Sequence, residues 1–132
     1  MTRKLLTILA AATATIAAPA FAQSSAANEA RLERALQGRV AGEPVNCVNL
    51  RSVRSQQVIP GTAILYEAGN TIYVNRPRAG AESLNRWDAQ VVRPFSTQLC
   101  SIDTVQVVDT ATGTMTGIVF LGDFVPYRRV AN

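Results

Sequence analysis

The feature that most constrains this chain is a pair of strand-forming runs broken by Gly69-Asn70, in the stretch TAILYEAGNTIYVNR at residues 62–76. Ile64, Leu65, Tyr66, Ile72, Tyr73 and Val74 are the β-branched, aliphatic and aromatic types that pack well on a pleated surface. Gly-Asn between two such runs marks a two-residue hairpin turn, because glycine accepts positive φ without steric cost. With Gly69-Asn70 as the turn, Tyr66 faces Tyr73 and Leu65 faces Val74. With Ala68-Gly69 as the turn, Leu65 faces Ile72 and Ile64 faces Tyr73. Both registers give good cross-strand pairs, so the sequence leaves the choice open.

The rest of the chain follows the same grammar of short runs between turn residues. Pro60-Gly61 turns the chain into the hairpin. Residues 45–50 carry Cys47 toward the core, and residues 89–93 end at Pro94. Residues 104–109 alternate, so one face is expected to be wetter. Residues 114–120 pair back on them, with Gly117 marking a bulge or a close backbone approach. A last run at 124–128 contains Pro126, which suits an edge. Five to six short strands at this spacing predict an all-β domain, a small antiparallel barrel or sandwich. One short helix is expected before it, at residues 28–37. There Asn28 serves as N-cap, Gly38 as stop, and Leu32, Ala35 and Leu36 form a narrow apolar stripe.

The N-terminus reads as a targeting segment. Thr2-Arg3-Lys4 precedes an alanine-rich apolar run, and Ala20-Phe21-Ala22 places small residues before a cut between Ala22 and Gln23, the pattern of a secretory signal peptide. The organisation expected is therefore a signal at 1–22, then a mobile tail, helix and connector at 23–44, then a single β-domain at 45–132. The predicted compartment is the periplasm, with no membrane-spanning segment after the signal is removed. Losing Arg3 and Lys4 takes the net charge from +4 to +2. What remains is eleven arginines against nine acids, without the one-sided excess of a nucleic-acid binder. Cys47 and Cys100 are the only thiols, and in an oxidising compartment an even count reads as a disulfide.

The chain has no histidine, which removes Ser–His and Cys–His nucleophile pairs and most zinc sites. No phosphate-binding loop or dinucleotide fingerprint occurs, and neither a cofactor nor a metal site is expected. Asp103, Asp109 and Asp123 stand at predicted strand ends, where a carboxylate pair for hydrolysis would need two of them to converge; aspartate also ends strands simply because it favours turns. Asn75, Arg76 and Arg78 at the hairpin exit, with Arg128 near the C-terminus, are the candidates for gripping an anion or a partner. Most aromatics are expected in the core of so small a domain. Trp87, in the longest irregular segment, is the aromatic best placed for a surface contact.

Tyr73-Val74-Asn75-Arg76, Leu99-Cys100 with Asp103, and Leu121-Gly122-Asp123-Phe124-Val125-Pro126-Tyr127 together resemble a proteobacterial family of small exported proteins. The resemblance runs from about Cys47 to Arg128. It implies export and a single domain, and it supplies no activity. Members of that family often carry a second cysteine pair, one member near the position of Ala81, and that second bridge is absent here. The function expected is a non-enzymatic binding or envelope-associated module, whose partner is an envelope protein or an anionic envelope component. The alternatives are a small hydrolase using the strand-end aspartates and a small-molecule carrier, the latter requiring a barrel of about eight strands to leave a cavity.

Overall fold

The computed structural model describes residues 14, 16, 17 and 20–131. Most of the expected signal segment lies outside the described residues. Helix α1 (Ala20–Ala35) is followed by ten strands: β1 (Arg39–Ala41), β2 (Cys47–Asn49), β3 (Ser55–Ile59), β4 (Ala63–Ala68), β5 (Thr71–Asn75), β6 (Ala89–Val92), β7 (Gln98–Cys100), β8 (Thr104–Val108), β9 (Met115–Phe120) and β10 (Phe124–Arg129). The fold is all-β with one helix, as expected, and its sheets form a sandwich, not a closed barrel.

The hairpin β4–β5 sits inside the largest sheet, which runs β1-β10-β5-β4-β3 with every neighbour antiparallel. Gly69-Asn70 makes its turn, so Tyr66 pairs with Tyr73 and Leu65 with Val74. Gly69 takes φ +60° while Asn70 stays at negative φ. That is the type II′ pattern, with glycine in the first central position, and it settles the register the sequence left open. Ala63, Ile64, Leu65 and Tyr66 are all buried because both faces of β4 are covered. On one face Ala63 and Leu65 join Ile59, Ile72 and Val74 against Leu32 of α1, with Ala35 and Leu36 at the margin. On the other, Ile64, Tyr66 and Phe124 pack against Val48, Leu84, Leu99, Val105, Val107, Val119 and Leu121 of a second layer. That layer consists of the sheet β6-β8-β9 and the two-stranded ribbon β2-β7.

Three expectations are corrected. Residues 23–27, expected as a mobile tail, are helical, and α1 begins at Ala20 instead of Asn28. Alanine is the strongest helix former, and Ala26 and Ala27 carry the helix back through the serines. The connector at 38–44 contains β1, which adds to β10 through Arg39↔Arg129 and Val40↔Arg128. Strands number ten among the described residues because β1, β2 and β7 have three residues each, too few to show alternation. The sheets stay open and do not close into the barrel named for the carrier alternative.

Cys47 and Cys100 are bonded, with an S–S distance of 2.09 Å. They stand directly opposite each other in the β2–β7 ribbon. The backbone bond from Ser101 N–H to Asn46 O brackets them as a non-hydrogen-bonded pair, the close-set kind that suits a cross-strand bridge.

Among the described residues one buried side-chain group has no hydrogen-bond partner. The hydroxyl of Tyr66 is sealed in the core, its ring edge-on to Phe124 at 5.7 Å, and no group of the described residues bonds to it. Burial pushes this phenol well above the ordinary tyrosine range. Tyr66→Phe is therefore expected to hold or raise stability at neutral pH, by up to about 1 kcal/mol, since the change removes only a desolvated hydroxyl. The raised value also fixes a sign. Above about pH 10 the unfolded chain loses this proton while the folded chain keeps it, so folding weakens by roughly 1.4 kcal/mol per pH unit in that range. Thermal unfolding at pH 7 and pH 11 checks both points: the alkaline loss should shrink in the phenylalanine variant.

Candidate functional site

The Trp87 indole is 79 % exposed, yet the loop that presents it is held from several sides. Leu84, 3 % exposed, anchors the loop in the core. Asn85 then folds the chain over its own side chain: its Oδ1 accepts from the N–H groups of Trp87 and Asp88, both at 2.9 Å. Its Nδ2 donates to Asp88 Oδ2 at 2.9 Å. Such Asx turns are what asparagine does in preference to helix or sheet pairing. Thr110 Oγ1 donates to the carbonyl of Trp87 at 3.3 Å, and Thr116 Oγ1 donates to Asp88 Oδ2 at 2.9 Å.

Thr116 reaches Asp88 because of the irregularity expected at Gly117. In the β8–β9 pair Val107 faces Gly117 and Val108 faces Met115, which leaves Thr116 as the extra residue of a bulge. Gly117 itself has Ser83 against it: a Cβ there would stand 2.1 Å from Ser83 Oγ. The bulge and the close approach both occur, and together they dock the Trp87 loop on the sheet.

Beside this loop runs an open groove of about 320 Å³ lined by Arg31, Gln56, Gln57, Val58, Asn85, Arg86 and Asp88. Three distant parts of the chain meet in it: α1 supplies Arg31, the free edge strand β3 supplies the glutamines and Val58, and the loop supplies the rest. The Arg86 guanidinium lies over the Trp87 ring, 5.9 Å from its centre. Among the described residues the ion pair present is Arg76–Glu29, so no carboxylate pairs with Arg31 or Arg86. All but one of the lining side chains are polar, but the Asn85 amide and the Asp88 carboxylate are spent on the turn and Gln56 donates to Gln90.

The other residues singled out from the sequence do not line this groove. Asn75 is fully buried and clamps Gly122, donating from Nδ2 to its carbonyl at 2.6 Å and accepting its N–H at Oδ1 at 3.0 Å. Its amide is committed to the fold. Arg76 makes a two-pronged pair with Glu29 of α1, at 2.8 and 3.0 Å. Each guanidinium bond holds the Glu29 carboxyl below its ordinary range. Arg78 is exposed where its backbone N–H bonds to Phe120 O. Arg128 pairs with Thr71, at the opposite end of β5 from Asn75, roughly 14 Å away along the strand. The arginines expected to converge are scattered.

Asp103 and Asp109 behave as turn residues. Asp103 Oδ2 accepts the N–H of Cys100 at 2.7 Å. Asp109 Oδ1 accepts those of Ala111 and Thr112, and these backbone bonds hold its carboxyl below the ordinary range. Asp103 and Asp109 flank β8 at opposite ends, roughly 20 Å apart along an extended chain, far beyond the reach of a carboxylate pair. Asp123 is exposed in the link between β9 and β10. Among the described residues no group of three His, Cys, Asp or Glu side chains is placed to hold a metal ion.

A second exposed feature is the outer face of β6-β8-β9. There Thr104 and Gln106 point outward as expected, but Phe95, Ile102, Met115, Ile118 and Phe120 are exposed as well. Phe95 and Phe120, expected with most aromatics in the core, lie on this face because no further layer covers it.

No protein-family model, characterised protein or solved structure gives a significant match to this chain. No helix of the described residues is long and apolar enough to cross a membrane.

Proposed function

We propose that this chain is an exported, periplasmic binding module without turnover of its own, akin to the small exported proteobacterial proteins it resembles, and that it engages its ligand through the exposed Trp87. One observation carries the reading: a large aromatic side chain is held out into water by a loop whose backbone and side chains are fixed by hydrogen bonds. Exposing an indole has no benefit for folding, whereas a rigid aromatic loses little entropy on contact and is a common anchor of binding surfaces. The signal-like N-terminus and the cysteine pair support an oxidising compartment, and the uncovered apolar face of β6-β8-β9 supports association with envelope components.

Trp87 is the chain's single tryptophan, so intrinsic fluorescence reads this site alone. Periplasmic extract is expected to shift its emission saturably. Trp87→Ala should leave the melting temperature within about 1 °C, as surface changes do, while abolishing retention of the extract component on immobilised protein. Unchanged emission in every extract fraction, or full retention by the alanine variant, contradicts the reading.

A further inference from the structure

We infer that the paired ends of β1 and β10 form a binding site for a phosphoryl group, held between Arg39 and Arg129. This site is separate from the contact made by Trp87 and does not depend on it. Arg39 and Arg129 are direct cross-strand partners. The backbone bond from Val130 N–H to Gly38 O brackets them as a non-hydrogen-bonded pair, the kind whose side chains stand closer together. Facing residues of an antiparallel pair project to the same side of the sheet, so the two cations share one face. Like charges set directly opposite weaken a sheet, and β1 is an edge strand of three residues.

No carboxylate relieves that repulsion among the described residues, where the ion pair present is Arg76–Glu29. Arg39 is steered by neutral groups instead: its Nη1 donates to Asn70 O at 2.7 Å and to Tyr127 O at 3.3 Å. Those carbonyls fix the direction of the guanidinium and leave its Nε and Nη2 donors unspent. Arg129 is exposed, and its side chain makes no bond to the described residues. The carbonyl end of α1 lies alongside, with Leu36 O accepting the Arg39 N–H. A helix end of that sign suits one cation nearby; it gives no reason for two set face to face. An anion bridging both guanidinium groups turns the repulsion into binding. A phosphoryl group fits because its several oxygens can serve two guanidinium edges, whereas one carboxylate is filled by a single two-pronged arginine.

The test follows thermal unfolding of the purified full chain in inorganic phosphate and in chloride at matched ionic strength. Flotation with vesicles of phosphatidylglycerol or of phosphatidylcholine runs beside it. Phosphate is expected to raise the melting temperature saturably. Arg129→Gln should melt about 1–3 °C above the unaltered chain in chloride, because the repulsion is gone. The same variant should bind phosphate about tenfold more weakly. Arg51→Gln removes an equal charge from an exposed turn elsewhere and should keep the phosphate response, as should Trp87→Ala. Given that response, flotation with phosphatidylglycerol that free phosphate competes away names a lipid headgroup as the source. A phosphate response without flotation names a soluble phosphorylated ligand. No phosphate response, an equal response in Arg129→Gln, or an equal loss in Arg51→Gln overturns the inference. If Trp87 still captures its extract component when phosphate fails, only this site falls and the binding reading above stands.

Discussion

Removing the disulfide by Cys47→Ala/Cys100→Ala is expected to lower stability by about 4 kcal/mol, the loop-closure entropy returned to the unfolded chain by opening a loop of this span. That is a large share of the roughly 5–15 kcal/mol that holds a small domain together. The native state also depends on the bridge for local reasons. The β2–β7 ribbon has three residues in each strand, and a two-stranded ribbon is marginal alone. Yet it delivers Val48 and Leu99, 4 % and 0 % exposed, to the core between the layers. When the bond is lost these two side chains keep only packing and a few backbone bonds to hold them in place. Urea unfolding of the two forms should show a lower midpoint and a steeper slope in the variant, because its unfolded chain exposes more surface. A difference under about 1 kcal/mol would mean that the ribbon is held by packing alone.

Asn75→Ala is expected to cost about 2–4 kcal/mol. The fully buried Asn75 amide makes both bonds to the half-buried Gly122, and truncation leaves an N–H and a carbonyl of Gly122 without their partners. The backbones of Arg76 and Gly122 also approach closely here, with no room for a Cβ on Gly122 beside the Arg76 carbonyl. Asn75→Asp sharpens the test. The carboxylate keeps an acceptor for the Gly122 N–H but sets a negative oxygen against its carbonyl, so it should also destabilise, and more at pH 7 than at pH 4. Chemical denaturation of both variants measures this. A cost below about 0.5 kcal/mol, the range of ordinary surface changes, would show that the clamp is dispensable.

Asn75 and Gly122 also explain what a sequence reader can and cannot recover from this chain. They belong to two of the motifs behind the family resemblance, and the structure brings them together. Leu121 and Phe124 are core residues, and Asp103 ties the turn after Cys100. In this chain these residues serve the fold: they fill the core, clamp a turn or tie one. The hairpin was legible because Gly-Asn and its flanking pairs act over a few residues. Its register was not, since it turned on which residue takes positive φ. Gly117 announced the bulge for the same local reason that the three-residue strands stayed hidden: a lone glycine is a signal, and three residues are not a period.

The groove was beyond reach for a different reason. Arg31, Gln56 and Asn85 are separated by 25 or more residues in the sequence, and only the packing of α1 and the Trp87 loop around β3 makes them neighbours. The arginines near Asn75 were the more conspicuous cluster in sequence, but sequence proximity says nothing about the far end of a strand, where Arg128 lies. One local cue did exist. Asparagine two residues before an exposed tryptophan, with aspartate directly after it, is an Asx-turn pattern, and it marks Trp87 as a side chain held in place instead of one hanging free.

Rigid presentation of that side chain is what the functional account rests on, and time-resolved fluorescence anisotropy of the single tryptophan measures it directly. The hydrogen-bonded loop predicts that Trp87 depolarises with the tumbling of the whole protein, and that Asn85→Ala adds a fast component. A dominant fast local depolarisation in the unaltered protein, of the kind seen for freely rotating exposed side chains, would contradict it.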